Sequence, residues 1–206
     1  MKGIVALCLV SLLAGCSAKQ VRPEVSGATL YRTPIEGATA QLVLSDSFQR
    51  KVITQKPSYG RSWSIYNFEI HAGEPASKSV VSDIRSRIPQ VRIGNIDDGK
   101  PATIRLAPID IAIEFGVDDG SAIAWTGGLG VFGLGAKVVV GAKATVKADL
   151  AVDGKPSKPI EVTGVGALPM AFVSVRESDV DKAIGLALDD AAKKLGDLAE
   201  AQARGI

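Results

Sequence analysis

Residues 138–154 read VVVGAKATVKADLAVDG, and residues 159–166 continue PIEVTGVG. Val138, Val140, Ala142, Ala144, Val146, Ala148 and Leu150 fall on one side of a two-residue period, while Lys143, Thr145, Lys147 and Asp149 fall on the other. Such alternation is that of a strand with one buried and one wet face. Asp153-Gly154 is a strong short hairpin signal, and Ile160, Val162 and Gly164 then alternate with Glu161, Thr163 and Val165 on the return. A long antiparallel ribbon is therefore expected.

Working outward, Ile109, Ile111, Ile113 and Phe115 alternate with Asp110, Ala112, Glu114 and Gly116, the cleanest period-two pattern in the chain. Three further strands are expected between 39 and 70, at Gln41–Ser45, Arg50–Gln55 and Trp63–Ile70, with a turn at Pro57-Ser58-Tyr59-Gly60. Between these groups, Glu74-Pro75 opens a helix whose Val80 or Val81, Ile84 and Ile88 recur at helical spacing until Pro89 stops it. Lys78, Asp83, Arg85 and Arg87 are expected on its wet side. A last helix is expected to be capped by Ser178, with Asp179 and Asp181 in its first turn. Its stripe is Val180, Ile184, Leu188, Ala191, Leu195 and Leu198, opposite Lys182, Asp189, Asp190, Lys193, Lys194 and Asp197. Two amphipathic helices on one face of a mainly antiparallel sheet, an α+β domain, would satisfy every apolar face.

The amino terminus concerns location. Lys2 is followed by an apolar run from Gly3 to Leu13, then Ala14-Gly15-Cys16 and polar Ser17, Lys19, Gln20 and Arg22. A basic start, a short apolar stretch and small residues before a cut site form a secretory signal. The apolar run falls short of the ~20 residues that a membrane helix needs. Leu13-Ala14-Gly15-Cys16 resembles the lipobox of bacterial lipoproteins. That resemblance implies a diacylglyceryl group on the Cys16 sulfur, cleavage before it and an N-acyl chain, such as palmitate, on the new amine. Ser17 resembles the residue of the outer-membrane-directed type. The expected organisation is a signal peptide over 1–15, a lipidated N-terminus and tether over 16–38, where Pro23, Gly27, Pro34 and Gly37 interrupt any periodicity, and one periplasmic domain over 39–206.

Composition narrows the function. The chain has 24 basic and 22 acidic residues, a formal charge of +2, and no basic block, so no nucleic-acid partner is expected. Cys8 leaves with the signal, so Cys16 has no cysteine to pair with in the mature chain. With one histidine, His71, and no nucleophile-elbow motif, a Ser-His-Asp site has little to work with. Asp97-Asp98, Asp118-Asp119 and Asp189-Asp190 sit in expected turns or on a helix face, and nothing selects a pair for glycoside hydrolysis. No metal, no cofactor beyond the acyl chains on Cys16, and no enzymatic activity are expected.

Gly127 to Gly135 contains Gly128-x-Gly130-x-x-Gly133, the letters of a dinucleotide fingerprint. Phosphate binding there requires a helix opening inside the motif, whereas a strand is expected to follow. Two readings stand for this run. Trp125, Leu129, Val131, Phe132 and Leu134 cover a sheet edge or core next to a broken hairpin, or they form an exposed apolar contact surface for a membrane or partner.

The combined pattern resembles the YajG-like family and related outer-membrane lipoproteins of unknown function. It comprises the lipobox, Leu42-Val43-Leu44-Ser45-Asp46 with Phe48 and a helix, a Gly-rich entry at Gly130 to Gly135, Asp153-Gly154-Lys155, and a terminal helix with Ala183, Leu188 and Asp189. The resemblance implies an outer-membrane anchor facing the periplasm. The expected role is a non-enzymatic binding or assembly component of the cell envelope, held to the membrane by lipid and engaging an envelope protein. The alternative is an auxiliary lipoprotein of a lipid-transport system, binding lipid or transporter subunits.

Overall fold

The computed structural model describes residues 18–27, 33–60, 63–118, 138–170 and 175–205. The strands are β1 (Lys19–Val21), β2 (Thr39–Val43), β3 (Val52–Gln55), β4 (Phe68–His71), β5 (Gln90–Gly94), β6 (Ile104–Asp118), β7 (Val138–Val152) and β8 (Lys158–Met170), and the helices are α1 (Asp46–Gln49), α2 (Gly73–Arg87) and α3 (Glu177–Ala203). The class is α+β, as the periodicities predict. A five-stranded sheet has the order β5-β2-β6-β7-β8, and a three-stranded sheet has the order β1-β4-β3.

The ribbon is as expected. β7 pairs antiparallel with β6 from Asp118↔Val139 to Ile104↔Val152, and with β8 from Val138↔Met170 to Leu150↔Lys158. At the turn, Asp153 and Gly154 have φ of 50° and 72°, and Lys155 N–H donates to the Val152 carbonyl at 3.0 Å. Positive φ at both central residues lets a tight turn follow the right-handed twist of its strands.

Elsewhere the sheets are mixed rather than mainly antiparallel. β2 runs parallel to both β5 and β6, and β1 runs parallel to β4. A parallel pair needs a long crossover; between β2 and β5 the chain makes it through α1, β3, β4 and α2. The expected strand Trp63–Ile70 is extended only from Phe68 on. The Trp63 and Ser64 N–H groups both donate to the Gly60 carbonyl, and that curl closes a turn before β4 begins. After β2, Ser45 Oγ accepts the Phe48 N–H and starts α1.

One face of β6 departs from the simple alternation. Ile104 and Leu106 point inward, then Ile111, Ile113 and Phe115 do, while Ile109 is 54% exposed. The register slips between Pro108 and Asp110. Proline has no N–H for the ladder, and a bulge inserts one residue, so the inward face continues on the opposite parity.

Helix α3 lies on β7 and β8, with Val180, Ile184, Leu188, Ala191 and Leu195 buried; Leu198 of the expected stripe is instead outside, and Ala199 is inside. Its start also differs, because Asp179, not Ser178, makes the capping bond, accepting the Arg176 N–H at 2.8 Å. The helix sits very close to β8: a Cβ at Gly164 would lie 2.1 Å from the Ala187 carbonyl, and one at Gly166 would lie 2.0 Å from that of Ala183. Helix α2 packs beside α3, and Val80, Ile84 and Ile88 join the same core as the sheet.

Candidate functional site

The stretch expected to be a tether is built into the domain from Lys19 to Ser26. Val21 is fully buried, and Lys19, Gln20 and Val21 pair with Phe68, Glu69 and Ile70. The next residues cross α3 on a row of hydrogen bonds. Asp181 accepts the Arg22 N–H at 2.9 Å and its carbonyl accepts the Glu24 N–H. Asp189 accepts both the N–H and the hydroxyl of Ser26, at 2.9 and 2.8 Å, and also the Ser79 hydroxyl of α2. Gly185 permits the crossing, since a Cβ there would lie 1.8 Å from the Glu24 carbonyl oxygen. Apolar burial of Val21 and pairing of exposed amides outweigh the flexibility that Pro23 and Gly27 suggest in sequence.

Burial pushes the Asp181 carboxyl above its ordinary range; the Arg22 N–H pulls against this, and the Glu24 and Glu177 carboxylates reinforce it. Asp181, expected only to favour the helix dipole, and Asp189, expected on the wet side of α3, thus act as clamps. Asp190 likewise accepts the Val165 N–H and pairs with Lys194.

A second cluster joins the two helices. Asp83 and Arg87, both expected in water, are each 1% exposed. The Arg87 guanidinium donates to Asp83 (2.7 and 3.1 Å), Asp197 (2.8 Å), Glu200 (2.8 Å) and the Lys193 carbonyl (3.0 Å). Gly196 leaves room for it, as a Cβ there would fall 1.9 Å from Asp83 Oδ2. No apolar periodicity announces this pair. The available signal was an i, i+4 Asp–Arg spacing next to a glycine in the partner helix.

Beside β1 lies an aromatic turn. Trp63 stacks on Phe68 with centroids 5.7 Å apart, and Phe68 meets Phe115 edge-on at 5.1 Å. Lys19 Nζ lies 4.6 Å from the Tyr66 ring and 5.5 Å from that of Trp63, and it also pairs with Glu177. His71 Nε2 is 2.6 Å from Gln20 Oε1 and 3.6 Å from Glu69. The ring is therefore engaged with polar neighbours on the small sheet.

Open depressions among the described residues include the following two. One, of about 480 Å³, is lined by Thr39, Thr103, Arg105, Asp153 and Lys155 among others. There Thr39 and Thr103 bond reciprocally, and Arg105 pairs with Asp97 at 2.8 Å. The other, of about 520 Å³, runs along α2 past Leu44, Gln49, Val81 and Arg85. Among the described residues, no group of three His, Cys, Asp or Glu side chains comes together to hold a metal. No helix there is long and apolar enough to cross a membrane.

Cys16, Trp125, Leu129, Val131, Phe132 and Leu134 lie outside the described residues. The strands flanking the glycine run, β6 and β7, end side by side at Asp118↔Val139. That is the end of the ribbon where Tyr59 bridges Gly116 and Phe68 reaches Phe115.

No protein-family model matches the chain, and no curated protein does. Among solved structures, the chain is similar to the crystal structure of protein XCC0632 from Xanthomonas campestris, of the family DUF330. The TM-score is 0.50 at 14% identity, over 91% of this chain and 98% of that one. At that identity the likeness is one of fold.

Proposed function

We propose that the protein is a lipoprotein of the YajG-like kind, anchored to the outer membrane through acyl chains on Cys16 and facing the periplasm, where it acts as a non-enzymatic binding or assembly component of the envelope. One observation supports this most. The chain enters the fold at Lys19, three residues after the lipobox cysteine, and is clamped across α3 to Ser26. Such an arrangement suits a domain mounted directly on an anchor. The polar side chains that catalysis would draw on serve as internal ties: Asp181 and Asp189 hold the N-terminal segment, while Asp83, Arg87 and Glu200 join the helices.

Acyl chains hold a protein through about 0.8 kcal/mol per buried methylene, and two or more are needed for stable attachment. Cys16→Ala is therefore expected to move the chain from the membrane fraction, with the signal uncleaved or the product mislocalised, as fractionation and N-terminal mass spectrometry would read. A Cys16→Ala chain still acylated and bound to the outer membrane would rule the reading out. Gentle crosslinking of the wild-type protein is expected to recover an envelope protein. Recovery of bound lipid instead would move the assignment to an auxiliary lipoprotein of a lipid-transport system.

A further inference from the structure

We infer that the turn carrying Trp63, Ile65 and Tyr66 is a second membrane contact, seated in the lipid headgroup layer beside the acylated Cys16. The inference rests on the lipoprotein reading above and adds an orientation to it.

Three observations carry it. The first is the direction of the chain. Lys19 stands opposite Phe68 in a parallel pair, and its N–H donates to the Asn67 carbonyl at 2.9 Å. Followed backwards from Lys19, the chain leaves the sheet on the side of Tyr66. The second is reach. Cys16 and Lys19 are three residues apart, and an extended chain covers at most about 3.6 Å per residue, or about 11 Å in all. The headgroup layer is itself about 5 to 8 Å deep on each side. A reach of that order keeps the turn next to Lys19 close to the layer in which Cys16 is anchored.

The third is chemistry. Ile65 is 69% exposed, and Tyr66 is 44% exposed beside it. Trp and Tyr favour the membrane–water boundary because an apolar ring carries a polar edge, and the Lys19 ammonium lies over both rings while it pairs with Glu177, which gives the turn a charged rim. The turn is also firmly held. Tyr66 N–H donates to the Trp63 carbonyl, Trp63 and Ser64 donate to that of Gly60, and the Trp63 ring rests on Phe68. Ile96 and Ile109 are exposed as well, but neither has an aromatic pair or the entry of β1 beside it. A lipid surface is the occupant that the nearby anchor brings to this turn.

The test uses the full acylated chain in phosphatidylcholine vesicles containing lipid spin-labelled near the headgroup. After signal removal, Cys16 is the sole native cysteine and is acylated, so Ile65→Cys offers one free thiol for a polarity-sensitive fluorophore. The comparison site is Lys155→Cys on the β7–β8 turn, on the order of 35 Å further along strands that rise ~3.3 Å per residue. Emission at position 65 is expected to shift to the blue and be quenched severalfold more than at position 155. With acylation confirmed by mass and the fold by circular dichroism, equal quenching at the two sites overturns the inference and leaves the lipoprotein reading in place. An unmodified Cys16 removes both.

Discussion

Arg87 shows how a charged residue becomes part of a core. Its guanidinium is 1% exposed and binds three carboxylates and a carbonyl, so the cost of taking it out of water is offset by a bond for every N–H donor. Removing Arg87 leaves the Asp83 carboxylate buried without a counter-charge, a loss of about 3–5 kcal/mol. Arg87→Ala is expected to lower unfolding stability by that order in urea titrations. Lys78→Ala, which breaks an exposed pair with Glu74 on the same helix, should change it little. Asp181 behaves differently. Burial raises its folded pKa, so the native state holds its proton more readily than the unfolded chain. Its contribution to stability is thus present below the unfolded pKa and is lost as pH rises through the folded one. Asp181→Asn keeps an oxygen for the Arg22 N–H and drops the charge. It is expected to melt higher than the parent at neutral pH and alike near about pH 3, below the ordinary aspartate pKa; equal differences at both pH values would contradict this cause.

At the scale of elements, the lesson is how much of a packing surface is made by residues that are nearly absent. Gly164 and Gly166 let α3 lie directly on β8, with the Ala187 and Ala183 carbonyls where their Cβ atoms would be. Forcing a methyl into a filled interface costs roughly 1–3 kcal/mol, and neither neighbour is a flexible side chain that can turn away. Gly164→Ala is expected to lower the melting temperature, whereas Lys155→Ala on the exposed turn of the same hairpin should not. The period-two alternation that predicts β7 and β8 is silent on this, because it distinguishes wet from dry faces but not how closely a helix lies on the dry one. For the same reason the Pro108 bulge, the curl at Gly60 that shortens β4, and the α1 turn were not legible from alternation. The curl and the α1 turn are set by where a backbone N–H finds its acceptor, and the bulge by the N–H that Pro108 lacks.

At the scale of the whole molecule, the small β1-β4-β3 sheet sits at one end of the ribbon, tied to it by Phe68 against Phe115 and by Lys51 with Asp110 at 2.8 Å. The aromatic turn, the entry of the chain at Lys19 and the root of the glycine run share that end. The Asp153-Gly154 turn marks the other. The amino-acid sequence by itself determined the class, the long hairpin and its turn, and the two helices, because side-chain period and turn chemistry are local properties of the chain. It also carried the lipobox letters. Only the tertiary structure decided that β2 lies parallel between β5 and β6, that Asp83 and Arg87 are interior, and that residues 19–26 are a strand and clamp instead of a tether. Those outcomes depend on partners more than forty residues away, and a carboxylate on a helix face reads alike whether water or a distant backbone N–H meets it.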